Sequence, residues 1–167
     1  GRANANKLMG RLLAKWQKDE GEVHLISISG GSKDNAISSI CEAVIATKNA
    51  AKTTALLQKT ADEIAAELAS DDKGFSLTVT STKAPEVMFS ATDSAQLIAI
   101  LAVVDNGVKE MNYNIKTLPE WSRNLGVGKT EEGNMEFVFA ARSAMESRLD
   151  ASIDELNALA ALTGCTA

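Results

Sequence analysis

Few side chains in this sequence have the type and spacing to do chemistry by themselves. The single histidine, His24, lies between Val23 and Leu25 with no His-x-x-x-His or His-x-Glu companion. Metallohydrolase chemistry needs several His, Asp, Glu or Cys side chains converging on a metal, so no metal-ligand set can be assigned within the chain. No serine sits in a Gly-x-Ser-x-Gly elbow, and a lone histidine names no serine as nucleophile. His24 therefore reads as a structural or surface strand residue. Gly30-Gly31 follows a strand-like run but lacks the Gly-x-Gly-x-x-Gly spacing of a dinucleotide cradle. Gly126-Val127-Gly128-Lys129-Thr130 echoes the end of a P-loop, yet Arg123 occupies the first glycine's place and a strand follows where a helix is required. Asp71-Asp72 and Glu131-Glu132 read as solvated turns. No residue of the chain is assigned a catalytic role.

The elements that must position any site come next. The chain has 167 residues, 45% hydrophobic and 23% charged, the balance of one ordinary globular domain over 1–167. Its net charge of −5 and the absence of a dense Lys/Arg cluster argue against a nucleic-acid partner. The longest apolar stretch, Leu97 to Val104, is far short of the roughly 20 residues that cross a bilayer, so no membrane partner is expected. Cys41 and Cys165 form no Cys-x-x-Cys pair. They read as a buried thiol and a tail thiol in a reducing compartment, which points to the cytoplasm.

Helical periodicity is clear over Ala3–Lys18 (Leu8, Leu12 and Trp16 at four-residue steps) and over Ala51–Ala69 (Leu57, Ala61, Ile64, Leu68). A third helix is expected after Pro85, capped by Ser90 with Asp93 and apolar at Leu97, Ile98, Leu101 and Val104, then stopped by Asn106-Gly107. The last covers Ser147–Leu162 with Leu149, Ile153, Leu156 and Leu159 inward and Gly164 at its end. Strands are expected over Val23–Ile28, Ala36–Ala46 and Phe75–Thr80, the last alternating strictly. A hairpin is expected from Trp121–Lys129 and Met135–Ala141 around Glu132-Gly133-Asn134. The order α-β-β-α-β-α-β-β-α predicts an α+β two-layer sandwich: a mainly antiparallel sheet with helices on one face.

Three segments add a resemblance. Gly1-Arg2-Ala3-Asn4-Ala5-Asn6-Lys7-Leu8 resembles the stretch that opens the first lid helix of the aminoacyl-histidine dipeptidases, a carnosinase-like zinc metallopeptidase family. Ile26-Ser27-Ile28-Ser29-Gly30-Gly31 followed by Asp34-Asn35-Ala36-Ile37 resembles the family's strand, Gly-Gly and Asn-Ala-Ile-Pro passage, with Ser38 in the proline's place. Asn124-Leu125-Gly126-Val127 and Ala141-Arg142-Ser143 resemble its Asn-Leu-Gly strand and Arg-Ser strand end, although Ala144 follows here where a second serine is common.

The resemblance implies the ferredoxin-like lid and dimerisation domain of a larger two-domain peptidase. In that reading the chain, which opens at Gly1 without an initiator methionine, is an excised segment, inactive alone. The parent would hydrolyse Xaa-His-type dipeptides with two zinc ions held in its catalytic domain. This segment would hold no cofactor and would contribute to a homodimer. By the same resemblance Asn35 hydrogen-bonds substrate and Arg142 pairs with its C-terminal carboxylate, the work that an amide and a guanidinium fork suit. Asn124 and Gly126 would line the same cleft. The plainer alternatives are a turn asparagine at 35 and a salt-bridged strand end at 142. For the whole chain they are a freestanding α+β binding or dimerisation module, and the lid of a related aminoacylase or tripeptidase.

Overall fold

A computed structural model describes residues 2–70, 72–83 and 86–167. Gly1, Asp71 and Pro85, named above, lie outside the described residues. The elements run α1 (Ala5–Glu20), β1 (His24–Gly30), β2 (Cys41–Ala46), α2 (Ala50–Leu68), α3 (Ala91–Val103), β3 (Gly107–Met111), β4 (Pro119–Glu131), β5 (Asn134–Ser143) and α4 (Glu146–Leu162).

Local chemistry sets most of these bounds. Three helices start on side chains that satisfy orphan N–H groups. Asn4 accepts from the Asn6 and Lys7 amides, Asn49 from Lys52, and Ser90 from Asp93. The β4–β5 hairpin closes with Glu131 opposite Asn134 through Glu132 and Gly133. Both turn residues have positive φ, 50° and 78°. That mirror-image turn matches strand twist, and glycine takes it at no steric cost.

The antiparallel sheet is built on β4. One edge of β4 pairs with β5 from Trp121 to Glu131. The other takes β3 against its first half and β1 against Gly128 and Lys129, and β2 flanks β1. Helix α1 packs against α2, α3, β2 and β4, α3 lies on β1, and α4 on β5. Leu13, Trp16, Leu25, Ile28, Ile64, Ile98, Leu101 and Leu125 are almost wholly excluded from water between the layers. Burial of each such side chain stabilises by about 1.5–3 kcal/mol. The α+β sandwich is as expected.

Four details differ. Residues 36–40 are not strand: Ser38 O accepts from the Ala5 amide and Ile40 O from the Gly31 amide, so these carbonyls serve a loop. Cys41 is consequently the first residue of β2, not its middle. Residues 75–80 form no ladder. Phe75 and Leu77 pack on the core between exposed Ser76 and Thr78, so their alternation reports half-burial alone. Strand β3, absent from the expected order, exists through pairing with β4. On α4, Ile153 is 58% exposed and Ser152 is the buried residue, because Trp121 Nε1 donates to Ser152 Oγ at 2.8 Å.

Candidate functional site

The loop between β1 and β2 carries Asn35, and its path is fixed by contacts with β4. Gly31 leaves β1 with φ +75°, and a Cβ there would fall 1.8 Å from Gly126 O. Gly126 is the extra residue of a bulge, since Leu125 pairs with Phe139 while Val127 pairs with Val138. A Cβ on Gly126 would in turn lie 2.4–2.6 Å from the backbone of Asp34. The two glycines therefore let loop and strand touch backbone to backbone. Asn124, two residues earlier, donates its amide hydrogens to Asp34 O at 2.7 Å and Ala36 O at 2.8 Å. Between those carbonyls sits Asn35, exposed, its side chain without a hydrogen-bond partner among the described residues.

Arg142 reaches the same face from the next strand. It pairs with Ser122, and Ala140 pairs with Asn124. Cross-strand partners share a face and so do residues two apart, so Ser122, Asn124 and Arg142 project together. Trp121, Arg123 and Leu125, all buried, project the opposite way, toward the helices. Arg142 and Asn124 are thus diagonal neighbours, a relation that places side chains roughly 7–8 Å apart. Arg142 is exposed and has no ion pair among the described residues. The structure thus fastens the residues on either side of Asn35 to Asn124 and Gly126, and sets Arg142 on the face of Asn124. A free guanidinium fork can bind a carboxylate in two hydrogen bonds, and a free amide can both donate to and accept from a peptide group.

Sequence reasoning missed what stands behind this face. Asn4, 4% exposed, shares its two amide hydrogens among Leu125 O, Asn106 Oδ1 and Asn124 Oδ1, at 2.9, 3.1 and 3.2 Å from its nitrogen. Asn106 Oδ1 also accepts from the Leu125 amide at 2.8 Å. Asn6, 1% exposed, reaches Gly30 O and Leu125 O. Next to them Lys7 donates to the last carbonyls of α3, Leu101 O, Ala102 O and Val104 O. Burial pushes its ammonium pKa below the ordinary value, against an opposing pull from Asp105. An asparagine directly before an apolar-periodic helix was the available signal for Asn4. Nothing local signalled Asn106.

The other candidates resolve simply. His24 Nδ1 lies 2.9 Å from Phe89 O, a tie between β1 and the residues before α3. Among the described residues no three His, Cys, Asp or Glu side chains are placed to hold a metal. Burial, with a small addition from Glu42, pushes the Cys41 thiol up to about 12, which keeps it protonated and unreactive. Beside it a cleft of about 460 Å³ is lined by Leu8, Met9, Leu12, Ile40, Phe75 and Leu77. Among the described residues no helix is long and apolar enough to cross a membrane.

Comparison with known proteins agrees with the resemblance. Residues 1–75 match the model of the peptidase dimerisation domain. Over 167 residues, 98% of the chain, it is 33% identical to the cytosol non-specific dipeptidase of Escherichia coli (strain K12). Its fold superposes on aminoacylhistidine dipeptidase from Vibrio alginolyticus with a TM-score of 0.89 and 30% identity, again over 98% of this chain. The chain spans 34% of the length of each relative. In sequence and in fold it is similar to about a third of each of these dipeptidases.

Proposed function

We infer that this chain is the substrate-holding lid and dimerisation domain of a cytoplasmic dipeptidase. Arg142 and Asn35 hold the C-terminal end of a dipeptide, and the rest of the parent protein hydrolyses the peptide bond. The observation that carries this is a pair of exposed polar side chains, Arg142 on the face that carries Asn124 and Asn35 on a turn fastened to β4. The relatives' names support a peptidase, one for aminoacyl-histidine substrates and one for dipeptides without specificity. An Xaa-His substrate is our choice between them. Two zinc ions, in this reading, are ligated entirely by the parent's other residues.

A carboxylate anchor has a direct test in the full-length parent. Arg142→Ala should raise KM for an Xaa-His dipeptide by roughly tenfold to a hundredfold, the cost of losing a charge-assisted bidentate pair. With the C-terminal amide of the same dipeptide the variant and the wild type should differ little. Equal effects on acid and amide would overturn the assignment. Faster turnover of N-acyl amino acids than of dipeptides by the wild type would transfer the lid to an aminoacylase.

Homodimer formation follows from the same reading. Strand β5, ten residues long, pairs with β4 on one side and leaves its other edge open among the described residues. Sedimentation should show a dimer at micromolar concentration, and a strict monomer there would refute it.

A further inference from the structure

We propose that Asn124 and Gly126 are positioning residues that hold the Asn35 turn in place, and are not themselves contacts to substrate. The inference rests on the reading that Asn35 faces substrate, and it changes the role the sequence suggested for its two neighbours. A primary amide has two N–H donors, and both of Asn124's are used, on Asp34 O and Ala36 O at 2.7 and 2.8 Å. Its oxygen already accepts from Asn4 Nδ2 at 3.2 Å. Nothing on this side chain is left to donate to a ligand. Gly126 has no side chain to offer, and its α-carbon is pressed against the Asp34 backbone.

The turn has little to hold it otherwise. Its internal bond, Ala36 N to Lys33 O, is long at 3.4 Å. Asn124 grips the carbonyls on either side of Asn35, and Asn4, itself the cap of α1, grips Asn124 from behind. A second tether runs from the Ala5 amide to Ser38 O at 2.8 Å. The start of α1, the bulge of β4 and the turn thus form one connected unit. Its consequence is preorganisation: Asn35 meets its ligand already ordered, so binding does not have to immobilise it.

Asn124→Asp separates the roles, because it keeps the shape and the acceptor toward Asn4 while it replaces both donors with a carboxylate oxygen that the Asp34 and Ala36 carbonyls repel. In the 167-residue chain, backbone order parameters at Lys33–Ile37 should fall from about 0.85 toward 0.6 or below, with β4 and β5 unchanged. If Asn124→Asp loosens the whole sheet, Gly126→Ala decides, because its added Cβ meets the Asp34 backbone at 2.4–2.6 Å and forces turn and bulge apart. In the parent, Asn124→Asp should raise KM for the dipeptide about tenfold with kcat within about twofold. Added to Asn35→Ala it should change nothing further. Unchanged order at Lys33–Ile37 in both variants, or multiplicative effects in the double variant, would overturn the proposal. A wild-type parent that hydrolyses no dipeptide would end the dipeptidase reading instead, and the order parameters would still decide the positioning role.

Discussion

Removing the acids around Arg123 should cost more stability than removing the arginine's own charge. Arg123 is 3% exposed, inside the contact of β4 with α4. Its guanidinium meets Asp105 and Glu155, each at 2.5 Å, and Ser152 O at 3.2 Å. Lys109 reaches the same two acids at 2.8 and 2.6 Å. The Lys109 hydrogen bond, with help from Arg123 and against burial, holds the Glu155 carboxyl below its ordinary range. The two sides differ in their access to water, since Asp105 and Glu155 are 40% and 45% exposed.

Arg123→Met keeps the stem's volume and leaves two acids that water and Lys109 can serve, a cost of about 1–2 kcal/mol. Asp105→Asn with Glu155→Gln leaves a buried guanidinium without a counter-ion, a cost of about 3–5 kcal/mol. For a domain of this length each kcal/mol shifts Tm by roughly 2–4 °C. The double variant should therefore melt about 6–20 °C below wild type, and Arg123→Met about 2–8 °C below. Urea unfolding followed by circular dichroism gives the same ranking as free energies. If the acid pair proves cheaper to remove than the arginine's charge, Arg123 is not held as a buried paired cation and the argument fails.

Three more outcomes follow from single contacts. Burial pushes the Glu20 carboxyl up, but hydrogen bonds from the Lys48 amide, Thr47, Trp16 and Thr53 outweigh it and set its pKa below the ordinary value. A depressed folded pKa means stability that is present above the unfolded value of about 4.3 and lost as pH falls through the folded one. The urea midpoint of wild type should thus drop more steeply below pH 4.3 than that of Glu20→Gln, and parallel curves would refute this. Gly10→Ala should destabilise by about 1–2 kcal/mol in thermal melts although alanine favours helix by about 1 kcal/mol, since its Cβ would lie 2.8 Å from Leu101 Cβ across α1 and α3. At pH 8 a disulfide reagent should label exposed Cys165 quickly and Cys41 far more slowly, because a thiol with pKa about 12 is thiolate in roughly one molecule in ten thousand. Two equally fast thiols would show that Cys41 is not shielded.

Periodicity, caps and turn residues are local, and the sequence by itself determined whatever depends on them. The four helices follow from apolar spacing, with Ser90 legible as the cap of the third, and the hairpin from Glu132-Gly133. Likeness of short segments, not local physics, pointed to Asn35 and Arg142. Pairing and facing are not local, and there the sequence failed. Phe75 and Leu77 alternate like a strand yet meet no ladder, whereas Gly107–Met111, with two charges and a glycine, becomes one because β4 lies alongside. Ile153 fits the helical stripe of α4, but the Trp121 and Arg123 bonds to Ser152 turn that helix the other way. Only the tertiary structure could show that Asn124 holds the turn of Asn35 while Asn4 holds Asn124. Asn124 lies 90 positions from Asp34 and 120 from Asn4, and a hydrogen bond at that separation leaves no periodic trace in the chain.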